Sequence, residues 1–184
     1  AIKKELGNHD VMLEAEFGAT GQSGKEEEYI KLKGKELEAF ADQIVSFIKY
    51  TGAEGIAYPI GMAHAAKLGE KHEPDYDRLE TVQRKLFLET GSSVPFAQHG
   101  GTGAAEVVRG LVGKDNINTN YLVVGTNIFA DHYEANKQAV RAGDKKACGT
   151  DIYLLQTGAI YNAAIEKLKE TGSYQKGPML SSVI

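Results

Sequence analysis

Ser92-Ser93-Val94-Pro95-Phe96-Ala97-Gln98-His99-Gly100-Gly101-Thr102-Gly103 is the stretch from which the fold can be read. A short apolar run, Val94 to Ala97, leads to a histidine. Three glycines and a threonine follow, and then an apolar-periodic segment begins (Ala104, Val107, Val108, Leu111). That order predicts strand, tight loop, helix. Glycines let main-chain N–H groups approach a ligand closely, and a helix N-terminus behind them favours an anion. His99 stands where the strand stops, which in parallel α/β folds is the ligand end.

Outward from this stretch the same unit recurs. Residues 10–17 read as a strand in which Val11, Leu13, Ala15 and Phe17 alternate with Met12, Glu14 and Glu16. Spacing leaves two readings of the carboxylates open: a half-exposed edge facing water, or a barrel strand pointing Glu14 and Glu16 into a polar mouth. Residues 36–50 form an amphipathic helix on Leu37, Phe40, Ala41, Ile44, Val45 and Ile48, stopped by Gly52. Residues 55–60 are a short apolar run leading to Gly61-Met62-Ala63-His64, a second histidine just past a strand. Residues 77–90 are a helix started by Asp77 with Glu80 and stopped by Gly91. Beyond the central stretch, residues 120–124 (Asn-Tyr-Leu-Val-Val) read as a strand ending in Gly125-Thr126-Asn127. Helices are expected over 128–141 and 158–170.

Four strand–helix units in succession predict a parallel sheet with right-handed crossovers. The polar and Gly-rich positions all follow strands: Glu16/Gly18, Gly61/His64, His99/Gly100 and Gly125/Thr126. In a (β/α) barrel they share one face. No GxGxxG with an acidic partner is present, which argues against a dinucleotide fold. His64 and His99 follow consecutive strands. They are either two ligands of one metal, a pattern that suits Zn²⁺, or two unrelated strand-end histidines. Residues 18–35 form a polar Gly-rich loop carrying Lys25-Glu26-Glu27-Glu28, read as a solvated charge run or an active-site loop.

Composition narrows the class. The chain has 184 residues, enough for one good-sized core, so residues 1–184 read as a single domain. A formal net charge of -4 without a Lys/Arg cluster excludes an electrostatic case for nucleic acid. One cysteine, Cys148, permits no internal disulfide and points to a reducing compartment, hence a cytoplasmic setting. No apolar run reaches the length of a membrane span. The opening Ala1-Ile2-Lys3-Lys4-Glu5-Leu6-Gly7 reads as the last turns of a helix with a Gly stop. The chain is therefore expected to be a piece of something longer. The tail, 172–184, is expected to be loosely held.

Glu14-Ala15-Glu16-Phe17-Gly18, Gly61-Met62-Ala63-His64, His99-Gly100-Gly101-Thr102-Gly103 and Val124-Gly125-Thr126-Asn127 resemble successive landmarks of class II, metal-dependent fructose-bisphosphate and tagatose-bisphosphate aldolases. The resemblance implies that the chain supplies the second half, four β/α units, of a (β/α)8 TIM barrel. It implies a zinc-dependent lyase of carbohydrate metabolism, of the glycolytic type. Such an enzyme cleaves or forms a phosphorylated ketose, with dihydroxyacetone phosphate as one product. It further implies that His64 and His99 ligate Zn²⁺, with Glu16 beside the metal. Gly100, Gly101 and Thr102 would hold the phosphate, with Gly125, Thr126 and Asn127 completing the cradle and a monovalent cation near that loop. Glu26 or Glu27 would move the proton. The family's third zinc histidine and acid/base aspartate belong to the first half of the barrel. The missing half, or a second copy, is thus the implied partner. Three departures support the alternative of a non-catalytic subunit: Ala65 for a glycine, Val123 for an asparagine, and Gln156-Thr157 where the family has a phosphate arginine. An unrelated α/β phosphate-binding enzyme is the third reading; it requires the two histidines to lie far apart.

Overall fold

The computed structural model describes residues 5, 7, 10–18, 29–62, 72–102 and 111–176. They fall into two compact units, one reaching to Asn116 and one running from Ile117 onward.

In the first unit four short strands, β1 (Glu14–Glu16), β2 (Gly55–Ala57), β3 (Phe96–Gln98) and β4 (Val112–Asp115), make one sheet in the order β1-β2-β3-β4. Every neighbouring pair is parallel. The register aligns Glu16 with Ala57, Ile56 with Phe96 and Gln98 with Asp115, with an irregularity between Phe96 and Ala97. Helix α1 (Gly34–Thr51) buries Leu37, Ala41, Ile44, Val45 and Ile48, the 3.6-residue stripe expected from the sequence. It ends at Gly52, whose φ of 66° lies in the left-handed region, with the Gly52 N–H donating to the Ile48 carbonyl at 2.8 Å. Helix α2 (Tyr76–Thr90) buries Leu79, Val82 and Leu86. Its cap is Asp75 rather than Asp77: the Asp75 carboxylate accepts from the Arg78 N–H at 3.2 Å.

Both helices pack into one core with Ile56, Tyr58 and Phe96 of the sheet, and Ala15, Phe17 and Val112 lean on it. Edge-to-face rings join the layers: Phe17 to Phe40 at 5.9 Å, Phe40 to Tyr58 at 6.0 Å, and Tyr58 to Phe96 at 4.6 Å and tilted. Burial pushes the Tyr58 phenol well above the ordinary range.

Since strand side chains alternate, the residues between these core positions point to the opposite face: Glu14, Glu16, Gly55, Ala57 and Ala97. The irregularity after Phe96 brings Lys114 level with Ala97, and so onto that face as well. An ion pair shows that this face is concave. Lys114 Nζ on β4 lies 3.0 Å from both carboxylate oxygens of Glu14 on β1. In a flat sheet, strands three apart would be separated by about 14 Å. The side chains meet because the sheet curls, over the small residues Gly55, Ala57 and Ala97. Glu14 therefore points inward from the sheet. An all-parallel sheet in sequential order, curled away from its helices, is consistent with part of a TIM barrel.

The second unit corrects the sequence reading. Residues 120–124 are not a strand: they lie in helix α3 (Thr119–Arg141). The fourth strand is Val112–Asp115, just upstream. Helix α3 is kinked at Asn136, whose side-chain amide donates to the His132 carbonyl at 3.0 Å. A π-helical turn, Lys146–Thr150, then runs directly into α4 (Asp151–Glu170), longer than the segment 158–170 expected. Residues 172–176 fold back on α4, with the Ser173 and Tyr174 amides bonded to the Leu168 carbonyl. The segment after Gly103 expected to be helical falls, as far as residue 110, outside the described residues.

Candidate active site

The C-terminal ends of the four strands define one edge of the sheet. β3 ends at Gln98, and His99 follows. Strand alternation continued by one residue would turn His99 toward the face of Glu14 and Glu16. Glu16 closes β1 on that same side. β1 and β3 flank β2, so their backbones stand about 10 Å apart. Imidazole and carboxylate at one end of one face are a donor set that suits zinc. His64, Glu26 and Glu27 lie outside the described residues. Among the described residues no cluster of three or more His, Cys, Asp or Glu is assembled for a metal ion.

The loop after His99 is tied to β4. The Asn116 N–H donates to the Gln98 carbonyl at 2.9 Å, extending the ladder one step. The Gly101 N–H donates to the Asn116 carbonyl at 3.2 Å. One amide of the Gly100–Thr102 loop is thus bonded within the protein, and it fixes the loop against the neighbouring strand. Gly100 has φ 75°, a conformation that glycine adopts without strain. Gly101 is required for a different reason. A Cβ there would run into the Asp115 carboxylate, closer than real Cβ atoms come to any neighbour. Gly101→Ala is therefore expected to destabilise the protein by about 1–3 kcal/mol. Chemical denaturation checks this, and the added cost should shrink in an Asp115→Ala background.

Three sequence candidates change setting. Gly125, Thr126 and Asn127 were expected in a strand-end loop, but they belong to α3. There the main-chain amides are consumed by the helix's own i→i−4 bonds, which removes the loop geometry their phosphate role depended on. Gly125 serves a helix crossing instead: a Cβ would lie 3.1 Å from Ile160 Cδ1, and its carbonyl accepts from Gln156 Nε2 at 2.9 Å. His72, in the polar stretch before α2, is half-buried, with Nε2 out of water.

The residues that take over the end of the fourth strand are Asp115, Asn116 and those following. Asn118-Thr119-Asn120 is a run of helix-capping residue types, and it was the available signal that a helix begins there and a strand has just ended.

A curled parallel sheet with a histidine and a glycine loop at its C-terminal edge is consistent with part of a barrel-type α/β scaffold. The sequence profile of the family Fructose-bisphosphate aldolase class-II matches residues 2–176, and the chain belongs to this family. Comparison with curated proteins gives no match. Among the described residues no helix is long and apolar enough to cross a membrane.

Proposed function

We propose that the chain acts in zinc-dependent, reversible aldol cleavage of a phosphorylated ketose of the fructose- or tagatose-bisphosphate type, releasing dihydroxyacetone phosphate. The observation that carries this reading is that β3 ends at Gln98, directly before His99 and a loop pinned to β4 through Gly101, at the end of the sheet where Glu16 closes β1. Family membership supports it.

In this reading His99 and His64 hold the zinc and Glu16 stands beside it. When bound, zinc supplies Lewis-acid stabilisation of the enolate oxygen. The Gly100–Thr102 loop, with a monovalent cation near it, anchors the phosphate. That remote contact orients the carbon–carbon bond to be cleaved. Glu26 or Glu27 moves the proton at the enolate carbon, from the loop 18–35.

The sheet supports a wider proposal. The chain supplies about the second half of a (β/α)8 barrel in the cytoplasm. Another stretch of polypeptide or a second copy closes the sheet. Concave charges such as Glu14 and Lys114 are suited to the interior of such a closed sheet.

The test is to supply fructose 1,6-bisphosphate or tagatose 1,6-bisphosphate and measure dihydroxyacetone phosphate. Release from one or both is expected. No triose phosphate from either ketose would leave the non-catalytic alternative, which Ala65 favours.

A further inference from the structure

Arg78 is buried at the start of α2, its side chain 5% exposed, and its guanidinium reaches three separate stretches of chain. Nη1 donates to the Pro59 carbonyl at 2.9 Å, two residues past the end of β2. Nη2 donates to the Ile30 carbonyl at 2.7 Å. Nε faces Asp75 Oδ2 at 3.8 Å. The guanidinium carbon lies 4.7 Å from the centre of the Tyr29 ring and 4.8 Å from that of Phe40. Asp75 completes the clasp by accepting from the Tyr29 hydroxyl at 2.6 Å, while its N–H donates to the Ile60 carbonyl at 2.7 Å. Burial, and then the Asp75 hydrogen bond, keep the Tyr29 phenol protonated far beyond its ordinary range. Tyr29 also lies against Gly61, where a Cβ would come within 3.2 Å of the ring.

A structural anchor could be built from apolar groups at less desolvation cost. A planar fork of donors does what apolar packing cannot: it fixes two main-chain carbonyls from different segments at set positions. The Pro59 carbonyl lies just past the C-terminal end of β2, where the candidate site lies, and Arg78 holds the Ile30 carbonyl close to it. In sequence, Glu26 and Glu27 precede Tyr29 and His64 follows Gly61.

We propose that Arg78, held by Asp75 and Tyr29, is a positioning residue that fixes the chain leaving β2 and the chain returning at Tyr29–Ile30 as one rigid frame for the reaction. The inference rests on the aldolase reading for its catalytic consequence, not for the frame itself.

The test uses the full 184-residue chain with Arg78→Met and Tyr29→Phe. Both are expected to lower kcat by about 10–100-fold per folded molecule, with KM moving about threefold or less, because small misplacements of reacting groups are costly. Hydrogen exchange should quicken in peptides covering 29–33 and 58–62, while α1 stays protected. An unchanged kcat per folded molecule, with only a lower melting temperature, overturns the proposal. If Arg78→Met does not fold, Tyr29→Phe decides by the same criteria, since it removes one hydroxyl. If the wild-type chain on its own cleaves no ketose bisphosphate, hydrogen exchange alone decides. Faster local exchange then supports the frame, and unchanged exchange refutes it.

Discussion

His99→Ala is expected to lose bound zinc and aldol cleavage together while the chain still unfolds cooperatively. His99 lies beyond β3 and is not part of the buried apolar cluster that holds the first unit together. Its removal should therefore spare the packing of α1 and α2 on the sheet. If it is a zinc ligand, the loss falls on charge stabilisation in the transition state. Several kcal/mol of Lewis-acid stabilisation correspond to a fall in kcat of about 10³-fold or more. Glu14→Gln is the matched control: Glu14 shares the concave face but is tied to Lys114. With Lys114 more than half exposed, that pair is worth about 1 kcal/mol or less, and activity should hold. Steady-state kinetics with metal analysis of each variant checks both. Full zinc occupancy in His99→Ala would detach this histidine from the metal.

Asp75→Ala is expected to be the most destabilising single substitution in the first unit, at about 3–5 kcal/mol. The Asp75 side chain is 2% exposed and has three duties. It caps α2 through the Arg78 N–H, accepts from the Tyr29 hydroxyl, and faces the Arg78 guanidinium and Lys31 Nζ, each at 3.8 Å. The cap alone is worth about 1 kcal/mol. The larger share comes from leaving the guanidinium buried with no carboxylate. Adding Arg78→Met to Asp75→Ala should therefore cost much less than the sum of the two single variants. Equilibrium denaturation of the three proteins measures this. Strict additivity would show that the two side chains are not coupled.

Much of the first unit was legible in the sequence because its signals are redundant. In α1, the period of Leu37, Ala41, Ile44 and Ile48 and the glycine stop at 52 agree. β3 was readable from apolar residues followed by His-Gly-Gly, though it begins two residues and ends one residue later than the expected run, 94–97. The fourth strand was misplaced for a physical reason. Val112-Gly113-Lys114-Asp115 contains glycine and two charges, a composition depleted in strands. Here the charge is tolerated because the sheet curls and Lys114 meets Glu14, a partner 100 residues away that no local pattern reveals. Gly113 is equally non-local: a Cβ there would overlap the Pro95 ring, just ahead of β3. Tyr121-Leu122-Val123-Val124, by contrast, has strand composition but sits in a helix. Its apolar residues do not reveal this, because Leu122 remains 64% exposed. The capping residues before it carried the better signal.

The site was legible in part. The turn after β3 was legible because glycines mark a turn wherever they occur. Glu14 could not be oriented until the curvature of the sheet was known. The Arg78 clasp was not foreseen: it joins residues 29–30, 59 and 75–78, and nothing in the spacing of those residues announces that they meet.

The account turns on metal-assisted aldol chemistry at the C-terminal edge of this sheet, and one measurement addresses it most directly. Zinc content and ketose-bisphosphate cleavage are determined on the same preparation, before and after EDTA treatment and after zinc is returned. The account predicts about one zinc per active site. Metal and activity should be lost together on chelation and restored together on adding zinc. Cleavage that persists unchanged in fully metal-stripped protein would contradict it.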